Sequence, residues 1–170
     1  MKTLDREKKN GRFSFLELRS VGILFDAGNA EDFELVKRYV VYLREHQKKV
    51  KVLGFFAQKQ IPALTYSKLE YDFFSVKDLD WKGIPQGATI TNFSEESFDI
   101  LFDLNIHDHF ALKYIAGTSK ARFKVGKYKE EDIDIYDMMI DADNTKTLKY
   151  FLRQVDTYVG MLNPVEEASK

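Results

Sequence analysis

Three short apolar runs in this chain each stop at an aspartate: ILFD at Asp26, ILFD again at Asp103, and MMID at Asp141. The first two continue in similar phrases, DAGNAEDF and DLNIHDHF, which set Asn29 and Asp32 after one aspartate and Asn105, His107, Asp108 and His109 after the other. Two carboxylates brought to one place cannot both stay charged and dry. They need a cation, a donor-rich ligand, the amides of a helix start, or a raised pKa on one of them. With Asp26 and Asp103 as candidate metal ligands, oxygen donors suit Mg²⁺, which keeps several waters and bridges to phosphate. Without any ligand, a strand-ending aspartate can accept hydrogen bonds from the amides of its own turn. That second account covers all three aspartates, whereas a cation covers only those that converge. His107 and His109 add polar groups beside Asp103, but two residues apart on a helix their side chains diverge.

The motifs that are missing narrow the chemistry. After the first apolar run a dinucleotide site wants GxGxxG, and DAGNAED has one glycine and carboxylates where a pyrophosphate would sit. GxxxxGK[ST], GxSxG and HExxH are absent, which disfavours P-loop, α/β-hydrolase and zincin chemistry. A phosphotransfer site built on strand-end aspartates wants DxD and a later lysine; Gly28 stands at the second acid position, and Lys127 is the nearest lysine on offer. No cofactor is expected.

The elements that must position these residues follow from periodicity. VGILFDA (21–27) is an apolar run of the kind found in strands buried on both faces. Phe33, Val36, Tyr39, Val40 and Leu43 then recur at helical spacing, with Asn29 as the cap and Arg44, Lys48 and Lys49 at the far end. KVKVLGFF completes a βαβ unit. A third strand is expected at LEYDFFS (69–75). The pattern resumes with FDILFDL (98–104), a helix from Asp108 to Thr118, ARFKVG (121–126) and YDMMIDA (136–142). A terminal helix carries Leu148, Phe151, Leu152, Val155, Val159 and Leu162 on one stripe, capped by Asp143 or Asn144 and closed before Pro164. Alternation of this kind predicts an α/β domain: a three-layer, Rossmann-like, mostly parallel sheet of about six strands with helices on both faces. If the order is 3-2-1-4-5-6, strands one and four are neighbours whose chains leave in opposite directions, and Asp26 and Asp103 share the carboxyl edge where open α/β sheets bind ligands.

Residues 76–97 contain Gly83, Pro85 and Gly87 and read as a loop or short hairpin, long enough to suggest a lid. Trp81, the only tryptophan, is expected to plug that loop onto the core, or alternatively to offer a stacking platform to a ligand or partner. The division is therefore 1–19 as a lead-in segment, 20–163 as the single domain and 164–170 as a tail.

Composition limits the partners. Lys+Arg 26 against Asp+Glu 27 gives a net charge of −1, so no global field attracts nucleic acid or acidic lipid. Only the lead-in, with Lys2, Arg6, Lys8, Lys9, Arg12 and Arg19, is locally basic; it is either a solvated segment tucking Phe13, Phe15, Leu16 and Leu18 against the domain or a contact for RNA or a membrane surface. Cysteine is absent, which removes disulfides, thiolate nucleophiles and cysteine-bound metal, and neither a signal peptide nor a transmembrane run is visible. The expected location is cytoplasmic.

The span from SVGILFDAGNAEDFELVKRYVVYLREHQKKVKVLGFF through FDILFDLNIHDHFALKYIAGTSKARFKVGKY to the terminal helix resembles a family of uncharacterised single-domain proteins from Bacteroidota. FDILFDL, a helix and SKARFKVG are also similar to the amino-terminal, acceptor-side Rossmann-like half of heptosyltransferase-like glycosyltransferases of the two-domain B type. The first resemblance implies a fold without an activity. The second implies at most a half-site, since the sugar-nucleotide domain of those enzymes has no counterpart in this chain and their glycine-aspartate pair is missing near Asp26. The expectation is a non-catalytic binding or adaptor domain whose ligand or protein partner meets Asp26, Asn29, Asp103, Asn105, His107, Asp141 and Trp81. The alternatives are a divalent-metal enzyme acting on a sugar or phosphate compound through paired aspartates, and an adaptor docking through its basic amino terminus.

Overall fold

The computed structural model describes residues 15–63, 71–142 and 147–160. Six strands, β1 (Ser20–Asp26), β2 (Lys49–Phe56), β3 (Tyr71–Ser75), β4 (Ile100–Asp103), β5 (Lys124–Lys127) and β6 (Met138–Ile140), form one sheet in the order β3-β2-β1-β4-β5-β6. Every pairing is parallel. Four helices alternate with them: α1 (Ala30–Glu45), α2 (Ala88–Glu95), α3 (Phe110–Thr118) and α4 (Leu148–Gly160). The domain is Rossmann-like, and its sheet is wholly parallel.

The period-two alternation of β1 sorts the core into two layers. Val21, Ile23 and Phe25 face α1 and α4, where Val36, Leu43, Phe151 and Val155 complete a cluster. Leu24 faces the other way, onto Phe93 of α2 and Leu112 and Ile115 of α3. Covered on both sides, the five central residues of β1 are all buried. Asn29 caps α1, its Oδ1 accepting from the amides of Glu31 (2.9 Å) and Asp32 (3.1 Å). At the other end Gln47 takes φ 59°. Its amide reaches the Arg44 carbonyl and that of Lys48 reaches Leu43, the paired closure that returns the chain into β2.

The segment after β3 departs from the expectation of an irregular loop. A short hairpin is present, with Leu79 bridging Pro85, but Val76–Asp78 is a 3-10 turn and 88–95 is helical. Phe93 of α2 is the anchor, buried and tilted against Phe98 with ring centres 5.0 Å apart. Trp81 is not a plug: it is 89% exposed at the hairpin tip, with the Lys82 ammonium 5.0 Å from its ring centre. The turn that carries it is held instead by Asp80, whose carboxylate accepts from the amides of Lys82 and Ile84. Of the lead-in, Leu18 is buried and Phe15 packs on the core, while Leu16 is exposed, contrary to the expectation that it tucks in. Lys48 fixes this entry by donating to the Phe15 carbonyl at 2.8 Å. The basic residues before Phe15, the caps Asp143 and Asn144, Leu162 and the tail lie outside the described residues.

Candidate functional site

The reversal of strand order between β1 and β4 places the ends of both strands at one carboxyl edge. Their register sets Leu24 beside Asp103, so Asp26 projects two residues further along the same face of the sheet. Both aspartates face the α3 side, and the stagger gives each its own partner.

Asp26 is anchored by its turn and by α3. Its Oδ1 accepts from the Gly28 amide at 2.9 Å, and its Oδ2 lies 2.9 Å from Nε2 of His109. His109 occupies the N-cap position of α3 without capping it; the imidazole turns back across the strand ends, edge-on to Phe55 at 5.4 Å. Burial is the largest single influence on Asp26 and would raise its pKa, but the His109 hydrogen bond, the Gly28 amide and the neighbouring histidine charges together outweigh it, leaving the carboxyl below its usual range. That same hydrogen bond raises His109 against the opposing effect of burial. Both shifts favour the charged pair, which is formed at mildly acidic pH. His107, expected beside it, is exposed, with its ring centre 6.5 Å from that of His109.

Asp103 sits deeper, only 4% exposed. Its Oδ1 accepts from the Asn105 amide at 3.1 Å and its Oδ2 from the Tyr136 hydroxyl at 2.6 Å. Burial dominates here, lifting the carboxyl to about 6 in spite of both donors. Burial and the adjacent carboxylate also push the Tyr136 hydroxyl well above its ordinary range. Next to this pair, Lys113 of α3 bridges Asp132 (3.0 Å) and Asp108 (3.1 Å), and Lys129 holds the other oxygen of Asp108 at 2.7 Å. Asn105 accepts from the His107 amide at 3.1 Å, which tightens the loop that leaves β4.

Between these groups lies a cavity of about 150 Å³, lined by Asp103, Asn105, His107, Lys113, Lys127 and Tyr136 together with Ile106, Asp108, Lys129 and Asp132. It brings together three of the expected residues, Asp103, Asn105 and His107. Asp26 borders the same edge through His109, and Asn29 is engaged in capping α1. Asp141 does not join them. It follows β6, two strands beyond β4, and lines a different recess of about 460 Å³ with Met138, Tyr150, Gln154 and Tyr158. Asp26 and Asp103 each have both oxygens engaged by protein donors, and among the described residues no three acidic or histidine side chains are grouped to hold a metal ion. No described helix is long and apolar enough to cross a membrane.

Tyr136, Lys113 and Asp132 complete the site and were not among the residues singled out by sequence, and His109, expected only as a polar group beside Asp103, holds Asp26 instead. Only His109 carried a signal, its place in the DLNIHDHF phrase. Tyr136 lies 33 residues from Asp103, and no local pattern joins them.

The chain belongs to a family of unknown function (DUF6913), whose model matches residues 1–162. No curated protein and no solved structure gave a match.

Proposed function

We propose that this domain binds a small polar ligand in the cavity over the ends of β4 and β5, and that it acts by binding and not by turnover. The observation that carries the reading is the cavity itself: it lies on the β5 side of the strand-order reversal and mixes two buried carboxyls, three ammonium groups, a phenol and an amide. Such a lining offers both donors and acceptors. At about 150 Å³ it is smaller than the roughly 300–1,000 Å³ of drug-sized sites. A nucleotide would not enter, whereas a monosaccharide fragment, a small hydroxy acid or inorganic phosphate would. A sugar or sugar phosphate comes first, in keeping with the likeness of FDILFDL and SKARFKVG to the acceptor-side half of type B glycosyltransferases. Asp103 hydrogen-bonds a hydroxyl in this reading and Lys113 and Lys127 neutralise an anionic group. A cytoplasmic location accords with the absence of cysteine.

Thermal-shift titration with simple sugars, sugar phosphates, hydroxy acids and phosphate tests this. The expected result is stabilisation by one class, abolished in Lys127→Ala and Asp103→Asn. If no class raises Tm, or if the shift persists in both variants, the cavity is not the site.

A second reading, catalysis, is favoured by one observation. Nδ1 of His109 has no partner among the described residues while Nε2 is held by Asp26, the arrangement of a general base oriented by a carboxylate. A metal-dependent version has less support, because the two aspartates are staggered and already bonded. Turnover lost in His109→Gln with binding retained would favour catalysis.

A further inference from the structure

A second recess lies at the opposite, amino edge of the sheet. It holds about 340 Å³ between the end of α1, the starts of β1 and β2 and the residue that follows α2; Arg44, Lys48, Lys49 and Lys51 line it with Glu96, over a floor of Val50 and Phe98. Four cations against one carboxylate leave a surplus of positive charge. Even that carboxylate is engaged within the recess: Glu96 meets Lys51 at 2.5 Å, an exposed pair of the kind that costs little to open.

Lys48 gives the recess its chemistry. It is 7% exposed, and its ammonium donates to the carbonyls of Phe15 (2.8 Å) and Leu16 (3.4 Å) while lying 4.8 Å from the centre of the Phe15 ring. Among the described residues no carboxylate is bonded to it. Burial pushes the ammonium down, and Asp99, whose charge opposes this, is itself taken up by the amides of Arg19 and Ser20 and by Arg122. A buried charge is as a rule paired, and two carbonyls leave one of the three ammonium protons over. Beside it Lys49 is exposed, with no side-chain partner among the described residues. Neither lysine is needed to finish α1, because the carbonyls of Tyr42, Leu43 and Arg44 already accept from the amides of His46, Lys48 and Gln47. The chain that enters at Phe15 adds charge of the same sign, with Lys2, Arg6, Lys8, Lys9 and Arg12 against Asp5 and Glu7.

We infer that the amino-edge recess binds a phosphate monoester carried on an apolar group, its phosphate meeting Lys48, Lys49 and Lys51 and its apolar body lying over Val50 and Phe98. Charge selects the anion. A phosphate monoester brings about −1.5 to −2 charges and several acceptor oxygens, which suits clustered ammonium groups better than a single carboxylate does. Size selects the apolar body: inorganic phosphate would leave most of the recess empty, whereas about 340 Å³ falls within the roughly 300–1,000 Å³ of small-molecule sites. The site is separate from the carboxyl-edge cavity, at the other end of the strands.

Titration of the ¹⁵N-labelled full chain with phenyl phosphate, and in parallel with inorganic phosphate, tests this at low salt. Amide shifts are expected at Ser20, Lys49, Val50 and Lys51, with a dissociation constant on the order of 0.1–1 mM for phenyl phosphate and weaker binding of inorganic phosphate. Amides of Asn105 and Lys127 report the carboxyl-edge cavity separately. Lys49→Glu, at an exposed position, should keep the fold and weaken binding about tenfold or more. Arg153→Glu, the same change of charge on the exposed side of α4, should bind as the parent does, and Lys48→Met should not bind. No shift at the amino-edge amides overturns the inference. So does binding that Lys49→Glu leaves intact, that Arg153→Glu weakens equally, or that is as tight for inorganic phosphate as for the phenyl ester. Should Lys48→Met fail to fold, Lys49→Glu decides alone.

Discussion

The Tyr136 hydroxyl, from the segment leading into β6, donates at 2.6 Å to the buried carboxylate of Asp103 at the end of β4. This bond ties the outer half of the sheet to its centre across β5 and gives the buried acid its strongest donor. Removing it in Tyr136→Phe leaves a desolvated acceptor, which should cost about 1–3 kcal/mol. The Asp103 pKa should also climb further above 6. Urea unfolding at neutral pH measures the first effect and carboxyl NMR titration the second; a Phe variant as stable as the parent would mean the bond is replaced by water.

The pH dependence from Asp103 runs opposite to that of a salt-bridged acid. Its folded pKa of about 6 lies above the ordinary 3.8, so between those values the folded state binds the extra proton and stability falls as pH rises. The full contribution is roughly 3 kcal/mol, present below pH about 4 and lost above about 6. Asp103→Asn should remove this slope and stabilise the domain at pH 7. Chemical denaturation of parent and variant across pH 4–7 checks the sign.

Asp26 and His109 act in the other sense. Lowering of the acid contributes stability above its unfolded pKa that disappears as pH falls through the folded one; raising of His109 contributes below about 6.5 and disappears as pH rises through its folded value. The pair therefore stabilises most between these limits, by about 1 kcal/mol after allowing for partial exposure. In Asp26→Asn the His109 pKa should drop, read from its ring proton shifts. An unchanged His109 titration would show that another group holds it.

How far the sequence carried depends on whether the cause was local. The alternation of strands with helices followed from apolar runs and helical stripes, because burial on both faces of β1 demands a continuous apolar segment, while the order 3-2-1-4-5-6 entered only as a condition that the sheet meets. Asn29 announced its cap by position. α2 stayed hidden: ATITNFSE holds three β-branched residues in a row, starts after Gly87 without a side-chain cap, and shows its buried face only through Ile90, Phe93 and Ser94. Trp81 misled because size alone does not bury a ring when the turn around it is already closed by Asp80. The aspartates were legible as strand ends, but their partners, 83 and 33 residues distant, were set by the stagger of β1 against β4, which periodicity does not encode.

Gly126 offers a test of how the site is held from behind. It lies in β5, and a Cβ placed there would come within 2.5–2.7 Å of three atoms of the Tyr136 ring. β5 is buried at Gly126 and its neighbour Val125, and it is paired on both edges, so the strand cannot retreat. The ring must move instead, and its hydroxyl with it. Gly126→Ala should therefore destabilise by about 1–3 kcal/mol through overpacking and also reproduce the Asp103 titration of Tyr136→Phe. In the double variant Gly126→Ala/Tyr136→Phe the two losses should fall short of their sum, since the second change removes a bond that the first has already broken. Full additivity would show that the methyl group is absorbed elsewhere and that the glycine serves the strand, not the tyrosine.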